Sequence, residues 1–316
     1  MTQWLRPIPP GRPFQQLDRT DVHRWWRPVV GLATLVVLGV AATLAFVLSM
    51  VVAVRLTTGV WLEVASSGEE VFTNDVANLF ALLATLGILL PLVWVVTLVV
   101  HRRWLGTLSS VEGHLRWRWM LLCLVPAVGY IGIAFAAGYG VDALWPSREE
   151  GGPWPGWHAF WPPLLMIVLL VPFQAAAEEY VFRGWLLQSL GSFTGEGHRM
   201  GRLFGSPWPA IIVSSVPFVA GHAYTDWGIL DIGAFAVIVG WVTVRTGGLE
   251  AAIALHVVNN MTGMILSASE GDLAIDQGAV PLPEVVVDVA AMLVWALVVV
   301  WMFGHTGSKR PMKRLS

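Results

Sequence analysis

Charge and cysteine are what this chain has least of. Asp, Glu, Lys and Arg together make up 13% of its 316 residues, against 56% hydrophobic residues and a mean hydropathy of +0.66. So few charges cannot clothe a water-soluble domain of this length, and the composition is that of a polytopic membrane protein. The single cysteine, Cys123, sits in an apolar run. One thiol excludes an internal disulfide framework and any CxxC metal site, and Cys123 reads as a small packing residue. No basic stripe with interleaved aromatics occurs, so a nucleic-acid partner is not expected. Internal repeats, low-complexity segments and a separate soluble domain are also missing.

What is present is a succession of apolar runs about 20 residues long, enough for helices crossing a core of about 30 Å. Eight are expected, near 29–54, 78–100, 119–139, 160–182, 208–222, 229–245, 248–268 and 285–304. The fifth is short and contains Pro207, Pro209 and Pro217, which predicts a tilted, broken or partly re-entrant segment. The fold class is therefore all-α, a membrane domain over residues 29–305 of about eight transmembrane helices enclosing an intramembrane cavity. Residues 1–28, with Arg6, Arg12, Arg19, Arg24, Arg27 and five prolines, read as a flexible cytoplasmic arm leading into an uncleaved first span. Residues 306–316 read as a basic cytoplasmic tail.

The loops orient the bundle. Basic residues cluster in the arm, in the 101–118 loop (Arg102, Arg103, Arg116, Arg118), in the 184–207 loop (Arg199, Arg202) and in the tail (Lys309, Arg310, Lys313, Arg314). The alternate loops carry Glu63, Glu69, Glu70 and Asp75, then Glu149 and Glu150, then Glu270, Asp272, Asp276 and Glu284, with Arg55 and Arg148 as exceptions. Both termini are expected in the cytoplasm, with the chain in a bacterial cell membrane. Trp25, Trp26, Trp104, Trp117, Trp119, Trp161 and Trp227 fall where interfacial rings belong.

Three polar clusters interrupt the spans. Glu178-Glu179-Tyr180-Val181-Phe182-Arg183 closes a run, Phe160 to Ala177, that has no charged side chain. An ionisable group at bilayer depth costs roughly 2.5–3.5 kcal/mol on insertion scales, so three in six residues must pair, face a wet cavity or do chemistry. Glu179 and Arg183 share a helical face as an i,i+4 pair, while Glu178 is turned about 100° away and stays free. Phe218 and His222 also lie one turn apart, with Gly221 permitting a close backbone approach. His256 and Asn260 repeat that spacing in the seventh span. Taken singly, His222 reads as an interfacial side chain, His256 and Asn260 as interhelical hydrogen-bonding groups, and Glu179–Arg183 as a structural pair. Taken together, a carboxylate, two imidazoles and a carboxamide on separate spans are what a water-activating site requires.

Glu178-Glu179-x-x-x-Arg183, Phe218-x-x-x-His222 and His256-x-x-x-Asn260, in that order, resemble the signature of the CPBP family of intramembrane proteases, which includes type II CAAX prenyl endopeptidases. The resemblance covers about residues 160–265. It implies hydrolysis of a peptide bond in a membrane-inserted protein or lipidated peptide. By that resemblance Glu178 is the general base with His222 assisting, and His256 and Asn260 stabilise the oxyanion or hold the water. Glu179, Arg183 and Phe218 are supporting residues. Metal use stays open, with Glu178, His222 and His256 as the ligands a Zn²⁺ would take. The oligomeric state is left open.

Other chemistries fit less well. No HExxH occurs, and Leu230-Asp231-Ile232-Gly233 reads as a helix start with Asp231 in a capping role. No GxSG precedes a histidine in rhomboid order, and the sequence shows no presenilin-type pair of aspartates. A proton- or ion-coupled transporter with Glu178, His222 and His256 as a relay is the alternative, but paired interrupted spans are missing. A non-proteolytic scaffold or immunity protein on the same fold is a third reading.

Overall fold

The computed structural model describes residues 4–65, 71–144, 151–193, 206–274 and 280–306. Glu69, Glu70, Arg148, Glu149, Glu150, Arg199, Arg202, Asp276, Lys309, Arg310, Lys313 and Arg314, used above for orientation, lie outside the described residues. The described residues form no β-strand, only isolated bridges such as Arg6 with Arg103 and Ser110 with Gly248.

Eight principal helices follow the apolar runs. They are α1 (Trp26–Thr58), α2 (Asp75–Val96, continuing as a π-helix over Thr97–His101), α3 (Trp117–Leu144), α4 (Trp157–Glu179, then π over Tyr180–Leu186, then α over Leu187–Ser192), α5 (Pro207–Ala220), α6 (Gly228–Thr246), α7 (Glu250–Ser269) and α8 (Leu282–His305). Seven are long and apolar enough to cross a membrane; α5, at 14 residues, is not. The chain is an integral, multi-pass membrane protein of all-α class. Local chemistry sets the ends: the Asn74 side chain caps α2 by accepting from the Ala77 amide at 2.9 Å. Gly59, at φ 76°, ends α1 in the left-handed conformation that a Cβ disfavours.

Helices α4 and α7 pack together at the centre, with α2 against α4, α3 and α8 against each other, and α6 between α5 and α8. α1 packs mainly along α2 and turns most of its apolar surface outward. Outward-facing Leu, Val and Trp side chains are a solvent liability in water but match lipid tails, where the hydrophobic effect no longer drives them inward. Trp25, Trp26, Trp104, Trp117, Trp161 and Trp227 are exposed, as interfacial rings should be. Trp119 is the exception. It is buried and packs on Phe303 with centroids 5.4 Å apart, tying the start of α3 to the end of α8.

The N-terminal arm is docked rather than loose. Phe14, Leu17 and Asp18 are buried, and the Arg6 amide donates to the Arg102 carbonyl at 2.7 Å. The arm crosses α4 at Gly191, where a Cβ would come within 2.2 Å of the Gln15 carbonyl oxygen, so only glycine fits. Prolines gave this segment a disordered look, but its few apolar residues reach the gap between α4 and the 102–116 loop. Burial opposes ionisation of Asp18, yet Arg103 and His101 outweigh it and hold the carboxyl well below the usual carboxylate range. Its folded pKa lies below the unfolded one, so the stabilisation is fully present above about pH 4 and is lost as pH falls below that value. Pepsin cleavage of the arm should therefore stay slow near pH 4.5 and accelerate toward pH 2.5; equal rates at both would contradict this linkage.

At the same end of the bundle, Arg116 grips Glu250 at the start of α7 through Nε at 2.8 Å and Nη2 at 2.7 Å, with the Arg116 amide adding a third bond at 2.9 Å. Glu250 is fully buried. Removing one partner of such a pair strands the other, which costs about 3–5 kcal/mol. Glu250→Ala is expected to lower the thermal midpoint in detergent by several degrees, whereas exposed Glu112→Ala should leave it nearly unchanged.

Candidate active site

The site is built on α4. Gln174, Glu178, Glu179 and Arg183 are all buried there, Glu179 completely. Arg183 Nη1 donates to Glu179 Oε1 at 2.9 Å, the pair that the i,i+4 spacing predicts. The Arg183 guanidinium also lies 3.9 Å over the Phe218 ring and 5.7 Å from the Phe235 ring, a cation–π seat on two rings that stack on each other. The i,i+4 reading of Glu179 and Arg183 assumes a regular α-helix; the backbone instead widens into a π-helix over Tyr180–Leu186. Such π segments are rare and tend to occur at functional sites.

From α7, His256 Nδ1 reaches the same Glu179 Oε1 at 2.8 Å. A carboxylate only accepts, so Nδ1 carries a proton, and Nε2 is left facing the other glutamate, 3.8 Å from Glu178 Oε2. Glu179 thus serves two partners, and the spacing of residues within one helix could reveal only the first. Glu178 Oε1 accepts from Gln174 Nε2, while Gln174 Oε1 accepts from Asn260 Nδ2 at 3.2 Å. Gln174 was missed in the sequence because it is uncharged; its one signal was its place one turn before Glu178, alone among apolar neighbours. Glu178 Oε2 is buried without a hydrogen-bond partner.

His222 arrives differently. α5 is only 14 residues long, roughly 21 Å at 1.5 Å per residue, so it ends well short of the full bilayer depth. It is a continuous helix with Pro217 inside, not broken. His222 follows its end, half-buried, with its ring 4.6 Å from that of Phe218 and Nδ1 donating to the Phe218 carbonyl at 2.7 Å. His222 lies within electrostatic range of Glu178, His256 and Arg183. His222 joins the group through the Phe218 ring rather than through a hydrogen bond to Glu178. Gly221 is not the point of close approach expected from sequence. It is exposed, and an added Cβ would meet only the Pro217 and Phe218 carbonyls of its own helix, at 3.4 and 3.5 Å.

The donor set for a metal does not gather here. Among the described residues no three His, Cys, Asp or Glu side chains form a group that could hold an ion. Glu178 and His256 face each other, but His222 stands apart across the Phe218 ring, so the three do not converge as a ligand set.

A cavity of about 270 Å³ elsewhere in the bundle is lined by Tyr130, Asp231, Asn259, Glu284 and Asp288 and by none of the site side chains described above. Tyr130 Oη donates to Asp288 Oδ1 at 2.7 Å, and Asp231 lies within hydrogen-bonding reach of Asp288. Asp231 does not cap α6, whose N-cap is Trp227; it sits in the first turn. Two aspartates distant in sequence therefore do meet in the fold, although the sequence showed no pair.

Residues 159–262 match the family model described as type II CAAX prenyl endopeptidase Rce1-like, and that stretch contains every polar side chain of the site just built. Over that stretch the chain is similar to the type II CAAX prenyl endopeptidase family. A relative in Bacillus subtilis (strain 168), the uncharacterised protein YyaK, is 20% identical over 293 residues, covering 90% of this chain and 94% of its own length. No solved structure matches.

The two neighbouring glutamates should behave oppositely on substitution. Glu179→Ala strands Arg183 and unties His256, for an expected loss of about 3–5 kcal/mol. Glu178→Gln keeps the bond to Gln174 and removes a buried unpaired charge, so the thermal midpoint should stay level or rise. Thermal unfolding in detergent checks both, and a large loss in Glu178→Gln would show that this carboxylate is structural.

Proposed function

We propose that this protein is an intramembrane endopeptidase that hydrolyses a peptide bond of a membrane-inserted or lipidated substrate. The observation that carries the reading is the Glu178 carboxylate, buried yet left with one free oxygen facing an imidazole nitrogen at 3.8 Å. A water about 2.8 Å from both atoms completes a triangle with them. Glu178 Oε2 takes a proton from that water, and the oxygen attacks the scissile carbonyl carbon. Asn260 Nδ2 gives one N–H to Gln174 and has a second for the oxyanion. Glu178 then returns the proton to the departing nitrogen as the C–N bond breaks, leaving a carboxylic acid and an amine. His222 donates from Nδ1 to a carbonyl, so its neutral Nε2 is an acceptor, suited to assisting the base. The similarity of residues 159–262 to prenyl endopeptidases supports a lipidated substrate entering from the bilayer.

The basic end of the bundle is proposed to face the cytoplasm. Arg6, Arg12, Arg19, Arg24, Arg102, Arg103, Arg116, Arg118 and Arg245 all lie in or beside the segments at that end, against Arg55 at the other among the described residues. His256 is in the second turn of α7, roughly 9 Å from that end along the helix axis.

The test is cleavage of a panel of membrane-inserted and prenylated peptides by the purified chain. Glu178→Gln is expected to slow cleavage by about 10²–10⁴-fold, the range for loss of a general base. Cleavage should survive exhaustive chelation. Equal rates for wild type and Glu178→Gln would overturn the assignment of the base, and complete loss on chelation would overturn the metal-free route.

A further inference from the structure

A buried hydrogen-bond chain runs from the N-terminal arm to the helix that carries the site. Trp185, on the π-helical stretch of α4, donates from Nε1 to His101 Nε2 at 3.0 Å. An indole N–H only donates, so Nε2 is unprotonated and the proton sits on Nδ1. That nitrogen donates to Asp18 of the arm, 3.0 and 3.1 Å from its two oxygens. Arg103 neutralises Asp18 at 3.0 Å and reaches α4 a second time through Nη1 to Gln188 Oε1 at 2.8 Å. Arg103, His101 and Trp185 have at most 1% of their surface exposed.

The chain joins two irregular backbones. His101 ends the π-helical turn of α2, and Trp185 lies in that of α4, two residues beyond Arg183. Arg27 caps the first by donating to the Val100 and His101 carbonyls at 3.0 and 3.3 Å. Gly31 of α1 covers the contact, since a Cβ there would sit 2.8 Å from His101 Nε2 and 2.9 Å from the Trp185 ring. A π-turn holds one extra residue per turn and is less stable than the α form, so something must keep it from relaxing. Expelling that residue would turn one part of the helix against the other by about 100°. Arg183, within the π stretch, would then lose its bearing on Glu179.

We propose that Asp18, His101 and Trp185 are positioning residues, a relay through which the docked arm holds the π stretch of α4 in the register that keeps Arg183 and His256 on Glu179. The relay rests on the reading of Glu178 and His256 as the reacting pair only for its effect on turnover; its effect on the helix stands apart from that reading. The arm is in this view a component of the site, although none of its residues touches the reacting atoms.

Hydrogen exchange and peptide cleavage on the full chain in lipid nanodiscs test this with Asp18→Asn and Trp185→Phe. Trp185→Phe keeps an aromatic ring in place and removes the N–H. Both variants are expected to speed amide exchange over residues 178–190 by about tenfold, and Asp18→Asn alone should also loosen residues 4–25. Turnover should fall about tenfold in each with KM within about twofold of wild type, because misplaced catalytic groups cost rate rather than binding. The double variant should be no slower than the worse single variant, as expected for one chain of contacts. Unchanged exchange over 178–190 in Trp185→Phe overturns the relay, and this variant decides if Asp18→Asn does not fold. If wild type cleaves no peptide in the panel, the peptidase reading fails while the exchange result still decides the relay.

Discussion

The polar interior hinges on one carboxylate. Glu179 is fully enclosed, and its Oε1 accepts from both Arg183 and His256. Desolvating a lone carboxylate or guanidinium costs several kcal/mol, so neither ion could stay charged inside this bundle without the other. The pair fixes more than charge. By accepting from Nδ1, Glu179 dictates which nitrogen of His256 is free, and by holding Arg183 it seats a cation over Phe218. The ring of Phe218 in turn carries His222. Three helices are thereby referenced to a single oxygen atom.

Glu178 is left with a bare oxygen because its neighbour has absorbed the structural role. One of its oxygens is held by Gln174 and the other is left bare. A carboxylate satisfied at both oxygens would be a poor base, and one satisfied at neither would rotate or neutralise itself. The division of labour depends on a turn of about 100° between adjacent helical residues, which sends one side chain toward Arg183 and the other toward Asn260 by way of Gln174.

Much of this was legible from the chain alone. The all-α membrane class followed from the rarity of charge, and the Glu179–Arg183 pair from i,i+4 spacing. The motif residues on α4, α5 and α7 could be named because ionisable groups are rare in apolar spans. What escaped was whatever lacks a charge or crosses between distant helices. Gln174 is neutral and left no electrostatic mark. The bond from His256 to Glu179 depends on how α7 is rotated against α4, which no single-helix periodicity reports. Trp119 looked interfacial because half of its environment is a helix end near the C-terminus, far away in sequence. The arm looked disordered because its prolines and arginines outweigh Phe14 and Leu17, yet those two side chains are both buried.

The placement of α5 shows how helix length acts as a chemical variable. A full-length span would carry its last turn to the opposite surface, into the region of Trp227 and the 223–227 loop. At 14 residues it stops early, and the side chain that follows, His222, stays near the level of Phe218 and Arg183. The backbone groups freed at such an end must be satisfied locally, since lipid cannot do so. Here the Gly221 amide bonds back to the Pro217 and Phe218 carbonyls, and the His222 imidazole donates to Phe218 as well. The Phe218 carbonyl therefore takes part both in closing the helix and in fixing the imidazole tautomer. His222 sits on the Phe218 ring because α5 ends where it does, so the arrangement depends on where the helix ends as much as on which residues it contains.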